Sequence, residues 1–263
     1  MANNLYNSIL IEKENKVTKV ILNRPDVHNA FNDVMINELL EVFNSIKKDT
    51  KTRVIVITGS GKSFCAGADL SWMKKIVNYS YEENLKESLE LAELFYTINS
   101  SAQPTIARVN GAVIAGGTGL ISVCDIVIAV ETAKFSLSEV KLGLVPACIS
   151  PYVLKRIGEK ACRELFLTGE RIDAYKAKEY GLVNYVVKEA DLDKEVNEFV
   201  NLLLSSGPNA IAICKELIQK IPSMNPNEYK KYTAEIIAKL RISDEGQEGM
   251  NAFLEKRKPK WGV

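Results

Sequence analysis

Short apolar runs of strand length constrain this chain more than any other feature. Val54-Ile55-Val56-Ile57 shows no polar alternation and ends in the loop Thr58-Gly59-Ser60-Gly61, so it reads as a strand buried on both faces. Thr105-Ile106-Ala107-Arg108-Val109, closed by Asn110-Gly111, and Asp125-Ile126-Val127-Ile128-Ala129-Val130 read as two further strands. Between them lie helical patterns: Met35, Ile36, Leu39, Leu40, Phe43 and Ile46 behind a cap at Asn32-Asp33, and a stretch over 82–98. Upstream, Ser8–Glu12 and Val17–Leu22 flank the polar turn Lys13-Glu14-Asn15-Lys16 as a hairpin. From about residue 150 helical segments dominate, with one more strand at Leu182–Val187 and helices over 190–205, 208–220, 226–240 and 243–256. Strands interleaved with helices, followed by a helical tail, indicate an α/β core with a helical appendage. The strand-then-helix rhythm near residues 54 and 105 is too weak in sequence to define a repeat.

Composition excludes several function classes. The 263 residues are 46% hydrophobic and carry a formal net charge of +1. That is a globular mix without the basic excess of a dedicated nucleic-acid binder. The lysine pairs Lys47-Lys48, Lys74-Lys75 and Lys230-Lys231 are scattered. No apolar run approaches the roughly 20 residues that span a bilayer, so no membrane role is expected. The opening residues lack a basic segment followed by an apolar stretch, so no secretory leader is expected either. The five cysteines include no C-x-x-C pair and there is one histidine, His28, which argues against a zinc site, a disulfide framework and imidazole-based nucleophilic catalysis. Free thiols point to a reducing, cytoplasmic setting, and acid–base chemistry falls to a carboxylate.

Three segments can carry chemistry. Phe64-Cys65-Ala66-Gly67-Ala68-Asp69-Leu70 is a small-residue turn in which Asp69 can cap the following helix. Asn110–Leu120 places Gly116-Gly117 and Gly119 at a helix start, where free N–H groups and the dipole suit an anion; neither a phosphate-loop nor a dinucleotide fingerprint is present. Ser138–Pro146 sets Glu139 among apolar neighbours, where its pKa should rise; the competing reading is a surface glutamate paired with Lys141.

Together, Phe64–Leu70, Asn110–Asp125 and Phe135–Pro146 resemble the oxyanion and catalytic segments of the crotonase superfamily, the enoyl-CoA hydratase/isomerase family. Leu22–Phe31 resembles its first CoA-contacting stretch and Glu248–Pro259 its C-terminal helix, so the likeness runs through nearly the whole chain in order. The resemblance implies a spiral of ββα units over residues 1–200 and a C-terminal helical oligomerisation region over 201–263. It implies a homotrimer or hexamer, an acyl-CoA thioester substrate, no metal and no separate cofactor, since coenzyme A is part of the substrate. It assigns the backbone amides of Ala68 and Gly116 to a thioester enolate, Glu139 to proton transfer, and Val27, Ala66, Asp69, Leu70, Gly117, Gly119, Phe253 and Lys256 to substrate contacts.

One departure qualifies the implied activity. Typical hydratases of the family carry two glutamates, and Gly119 occupies the position of the first. The stretch Ser138–Val153 resembles methylglutaconyl-CoA hydratases of leucine breakdown and related branched-chain hydratases. Hydration is therefore the leading expectation. The alternatives are double-bond isomerisation by Glu139 alone, or a non-catalytic acyl-CoA- or RNA-binding relative.

Overall fold

The computed structural model describes residues 6–262, so the first five residues of the segment read for a leader lie outside it. β1 (Ile9–Glu14) and β2 (Val17–Leu22) form the expected hairpin, β2 with the expected bounds, but β1 runs two residues further into the polar stretch, to Glu14. Only Asn15 and Lys16 make the turn, with φ of 45° and 69°, the left-handed pair of a type I′ connection. Asn32 then caps α1 (Asp33–Ile46) by accepting from the Met35 amide at 2.9 Å, and the apolar stripe from Met35 to Ile46 faces inward.

Beyond α1 the chain repeats one unit. A long strand enters a main sheet, a three-residue strand enters a second sheet, and a helix follows. The first unit is β3 (Val54–Gly59), β4 (Ser63–Cys65) and the helices α2 (Leu70–Ile76) and α3 (Tyr81–Asn99). The second is β5 (Thr105–Val109), β6 (Ala112–Ile114) and α4 (Gly116–Ser122). The third is β7 (Ile126–Val130), β8 (Lys134–Ser136) and, after a 3-10 turn, α5 (Ser150–Thr168). β9 (Arg171–Asp173), α6 (Ala174–Glu179), β10 (Tyr185–Val187) and α7 (Leu192–Leu204) follow. The main sheet has six strands in the order β1-β2-β3-β5-β7-β10, and the second has four, β4-β6-β8-β9. β2, β3, β5, β7 and β10 pair in parallel, as do β4, β6 and β8.

The apolar runs mark the centre of this arrangement. Every residue of β3 is buried, and α7 packs across β3, β5 and β7 while α1 packs against β1 and α3. Three helices complete the chain: α8 (Pro208–Lys220), α9 (Pro226–Ile242) and α10 (Asp244–Leu254). A polar pin ties α8 to the core: buried Lys215 donates to Asp125 Oδ2 at 2.7 Å and to Gln103 O at 3.0 Å. Glu245 on α10 accepts from the Asn209 and Ala210 amides at the start of α8. Leu217, Ile236, Ile237 and Leu240 line an apolar groove of about 510 Å³ between α8 and α9. Among the described residues no helix is long and apolar enough to cross a membrane.

Candidate active site

The small-residue turn after β4 runs beside the segment Arg24–Phe31. Phe31 donates its N–H to Gly67 O at 2.7 Å, and its carbonyl accepts from the Asp69 amide at 2.8 Å, a parallel bridge centred on Ala68. In a parallel bridge the bracketed residue's own N–H points away from its partner. Ala68 is exposed, and its N–H meets no acceptor among the described residues. The neighbouring Ala66 amide is engaged, donating to His28 O at 3.0 Å.

Asp69 holds this turn. Its Oδ1 accepts from the Ser71 and Trp72 amides at 2.6 and 3.2 Å, capping α2, and its Oδ2 accepts from Arg24 Nη2 at 2.6 Å. Arg24 Nη1 reaches Ala30 O at 2.7 Å. Burial alone would raise the Asp69 pKa, but the Arg24 and amide donors outweigh it and hold the carboxyl below its ordinary range. The side chain is thus engaged by the fold, as the capping reading requires.

The second turn lies between β6 and α4. Ala115 adopts φ 49° and ψ −117°, a conformation an alanine rarely takes. It is held there by its N–H donating to Ser136 O at 2.8 Å and by its carbonyl accepting from Thr118 and Gly119 at 2.8 and 3.3 Å. Such a residue stores about 1–3 kcal/mol of strain and is frequent at functional sites. Gly116 is the first residue of α4, so its N–H has no intrahelical partner, and it meets no acceptor among the described residues.

The two turns touch, which explains their small residues. A Cβ on Gly67 would lie 3.1 Å from Ala115 Cβ, and one on Gly117 would lie 2.6 Å from Cys65 O. Cys65 itself is buried, and burial pushes its thiol up to about 12, which leaves it unreactive.

Glu139 follows from the same frame. Ser136, the acceptor for Ala115, ends β8, and the 3-10 turn Ser138–Leu142 begins two residues later. Glu139 Oε2 is buried with no hydrogen-bond partner; among the described residues it is the only side-chain polar atom in that condition. Burial raises the Glu139 pKa, an effect its own backbone amide partly offsets. Among the described residues it makes no ion pair with Lys141 or any other cation, so the surface-pair reading falls away. A buried carboxylate oxygen without a donor costs about 1–3 kcal/mol, which makes it a candidate proton carrier.

Gly119 lies three residues along α4 from Gly116. It is buried, and a Cβ there would lie 2.1 Å from Ile149 Cγ2, 2.8 Å from Ile149 Cβ and 3.2 Å from Phe95 Cζ. Ile149 therefore fills the volume that any side chain at 119 would need.

The remaining sequence-derived residues divide. Val27 and Leu70 are exposed beside the first turn, and Gly117 is buried beneath the second. Phe253, 83% exposed, and Lys256 belong to the C-terminal end, and no bond among the described residues joins them to the two turns. Arg108 pairs with Asp193 of α7 at 2.6 Å. Trp72 is buried and donates to Glu87 on α3 at 3.1 Å. Among the described residues no group of three His, Cys, Asp or Glu side chains could hold a metal ion. Sequence reading assigned no role to Arg24, Phe31 or Ile149. The first two lie in the stretch flagged for CoA contact and Ile149 in the stretch Ser138–Val153 flagged for its subgroup resemblance, but nothing in the sequence pairs Ile149 with Gly119.

A spiral of ββα units with free amides at two touching strand-to-helix turns defines a crotonase-type protein. Residues 12–263 match the enoyl-CoA hydratase/isomerase family, and the chain belongs to it. It is 33% identical over 254 residues to a short-chain-enoyl-CoA hydratase of Clostridium acetobutylicum, covering 96% of each chain. It is 29% identical over 258 residues to a trans-2-decenoyl-[acyl-carrier-protein] isomerase of Streptococcus mutans, covering 97% of this chain and 98% of the other. The crystal structure of an enoyl-CoA hydratase from Shewanella pealeana superposes with a TM-score of 0.95 at 41% identity, covering 98% and 97% of the two chains.

Proposed function

We propose that this protein is an enoyl-CoA hydratase in which Glu139 is the sole proton carrier. The observation that carries the reading is the buried, unpartnered Oε2 of Glu139, three residues beyond the strand end that anchors the Gly116 turn. The thioester oxygen accepts from the amides of Ala68 and Gly116, and the dipole of α4 adds to the second donor. Each such donor contributes roughly 3 kcal/mol once negative charge develops on the oxygen. Glu139 takes a proton from water as the hydroxyl adds to the β-carbon. The electron pair moves into the enolate, and Glu139 returns a proton to the α-carbon, so the carboxylate is regenerated. No separate cofactor enters this sequence.

Val27, Phe253 and Lys256 are assigned to coenzyme A on the family resemblance. Exposed Phe253 of α10 and Lys256 just beyond it would act from a neighbouring subunit, in a homotrimer or hexamer that covers the apolar groove between α8 and α9. A branched or carboxylated enoyl-CoA such as methylglutaconyl-CoA is the finer substrate expectation, and the cytoplasm the expected location.

A second reading is double-bond isomerisation. The Ile149 side chain packed over Gly119 favours it, because the site has no room for a second carboxylate there. A panel of enoyl-CoAs, followed for water addition and for double-bond migration, separates the two. Hydratase activity predicts loss of the conjugated enoyl absorbance with formation of the 3-hydroxyacyl thioester. Migration without any 3-hydroxy product assigns Glu139 as a 1,3-proton shuttle instead.

A further inference from the structure

One residue reaches both turns. The backbone of Phe31 brackets Ala68 through its bonds to Gly67 and Asp69. Its ring lies against Gly116, where a Cβ would be 3.2 Å from Cδ2 and 3.4 Å from Cε2. The ring also meets Phe95 of α3 edge-on, with centroids 6.4 Å apart and planes at 87°. Phe31 is 2% exposed, and Arg24 straps the segment down through Asp69 and Ala30. Thus the backbone of one residue fixes the first amide while its ring supports the second.

We propose that Phe31 is a positioning residue that sets the separation between the Ala68 and Gly116 amides; this rests on the reading of those amides as the thioester oxygen's donors. The two amides belong to different ββα units, and the β4–β6 pairing that joins these units ends at Cys65 and Val113, three residues before either amide. Ala115 supplies a reason why a support is needed. Its strained conformation can relax if the chain at Gly116 shifts, and the Phe31 ring occupies the volume against that residue. Donors act on a developing oxyanion only when held about 2.7–3.1 Å from its position. A displacement of about 1 Å can cost on the order of 10²-fold in rate.

The test is Phe31→Leu and Phe31→Val, both apolar and compatible with an extended bridge. Butyryl-CoA labelled with ¹³C at the thioester carbonyl serves as an unreactive probe for isotope-edited infrared spectroscopy. In the wild type, two donors move the bound carbonyl stretch to lower frequency. The shift and kcat should fall together in the order Phe, Leu, Val as the side chain draws back from Gly116. The valine variant should lose on the order of 10²-fold in kcat while butyryl-CoA affinity changes by less than about threefold. A folded valine variant that keeps the wild-type shift and kcat overturns the proposal, as does a loss of affinity that matches the loss of rate. Should the valine variant not fold, the leucine variant decides by the same two readouts, and equality with the wild type overturns the proposal. Absence of a shift in the wild type would instead remove the amide assignment itself.

Discussion

Gly119→Ala tests whether the site is closed to a second side chain. In an open helix the change would gain up to about 1 kcal/mol from helix propensity. Here the new Cβ would lie 2.1 Å from Ile149 Cγ2 and 2.8 Å from Ile149 Cβ, inside van der Waals contact with a branched side chain that is 3% exposed. Overpacking of a filled core costs about 1–3 kcal/mol. The 2.1 Å approach belongs to the upper part of that range, about 2–3 kcal/mol, so after the propensity gain the net effect should be a loss of about 1–2 kcal/mol, or roughly 2–8 °C in Tm for a chain of this size. Ile149→Ala alone leaves a cavity and should cost about 2–5 kcal/mol. The double variant removes the 2.1 Å contact with Cγ2 and leaves only the Cβ of residue 149 at 2.8 Å to give way, so its loss should be smaller than the sum of the single losses by about 1 kcal/mol. Thermal and urea denaturation of the four proteins measures this cycle. A Gly119→Ala protein as stable as the wild type, or strictly additive losses, would refute the claim that Ile149 fills the space.

Three further outcomes follow from the same contacts. Because burial raises Glu139, kcat/KM should fall as pH drops through a pKa above the ordinary glutamate range, and that acid limb should be missing from Glu139→Gln. The same shift works against the folded state once Glu139 ionises, so Glu139→Gln should gain more stability over the wild type at pH 7 than at pH 4; an equal gain at both would contradict it. Lys215→Met leaves Asp125 Oδ2 with its Thr105 donors but without the cation, and should cost about 1–3 kcal/mol in urea unfolding, whereas unchanged stability would show that the pin is idle.

What could be read in advance followed from what each segment decides locally. β3, β5 and β7 announce themselves because strands covered on both faces are mostly apolar, and α1 because its stripe and cap lie within one stretch. β4, β6, β8 and β9 were not legible: three residues show no period, and their partners lie 22 to 49 residues away in sequence, as in Val113 with Phe135 or Ser63 with Ala112. That hidden second sheet is what turns a loose strand–helix rhythm into a repeated unit. The hairpin turn was misjudged for a local reason. Glu14 and Val17 pair across Asn15-Lys16, and neither residue is the glycine that usually marks such a turn. In the site, Asp69 was readable as a cap but its bond to Arg24, 45 positions earlier, was not. The left-handed Ala115 has no sequence signal, since nothing about an alanine advertises that conformation. Whether Glu139 pairs with Lys141 or has one oxygen buried and unpartnered is decided by packing that brings distant segments together.

The most direct test of Glu139 as sole proton carrier is the turnover of Glu139→Gln with an enoyl-CoA substrate, measured alongside its affinity for butyryl-CoA. The amide keeps the shape of the side chain and removes its titrating proton, while the Ala68 and Gly116 amides are untouched. Water addition should fall by about 10²–10⁴-fold with affinity largely retained. Hydration at a near-normal rate by the folded variant would contradict the account.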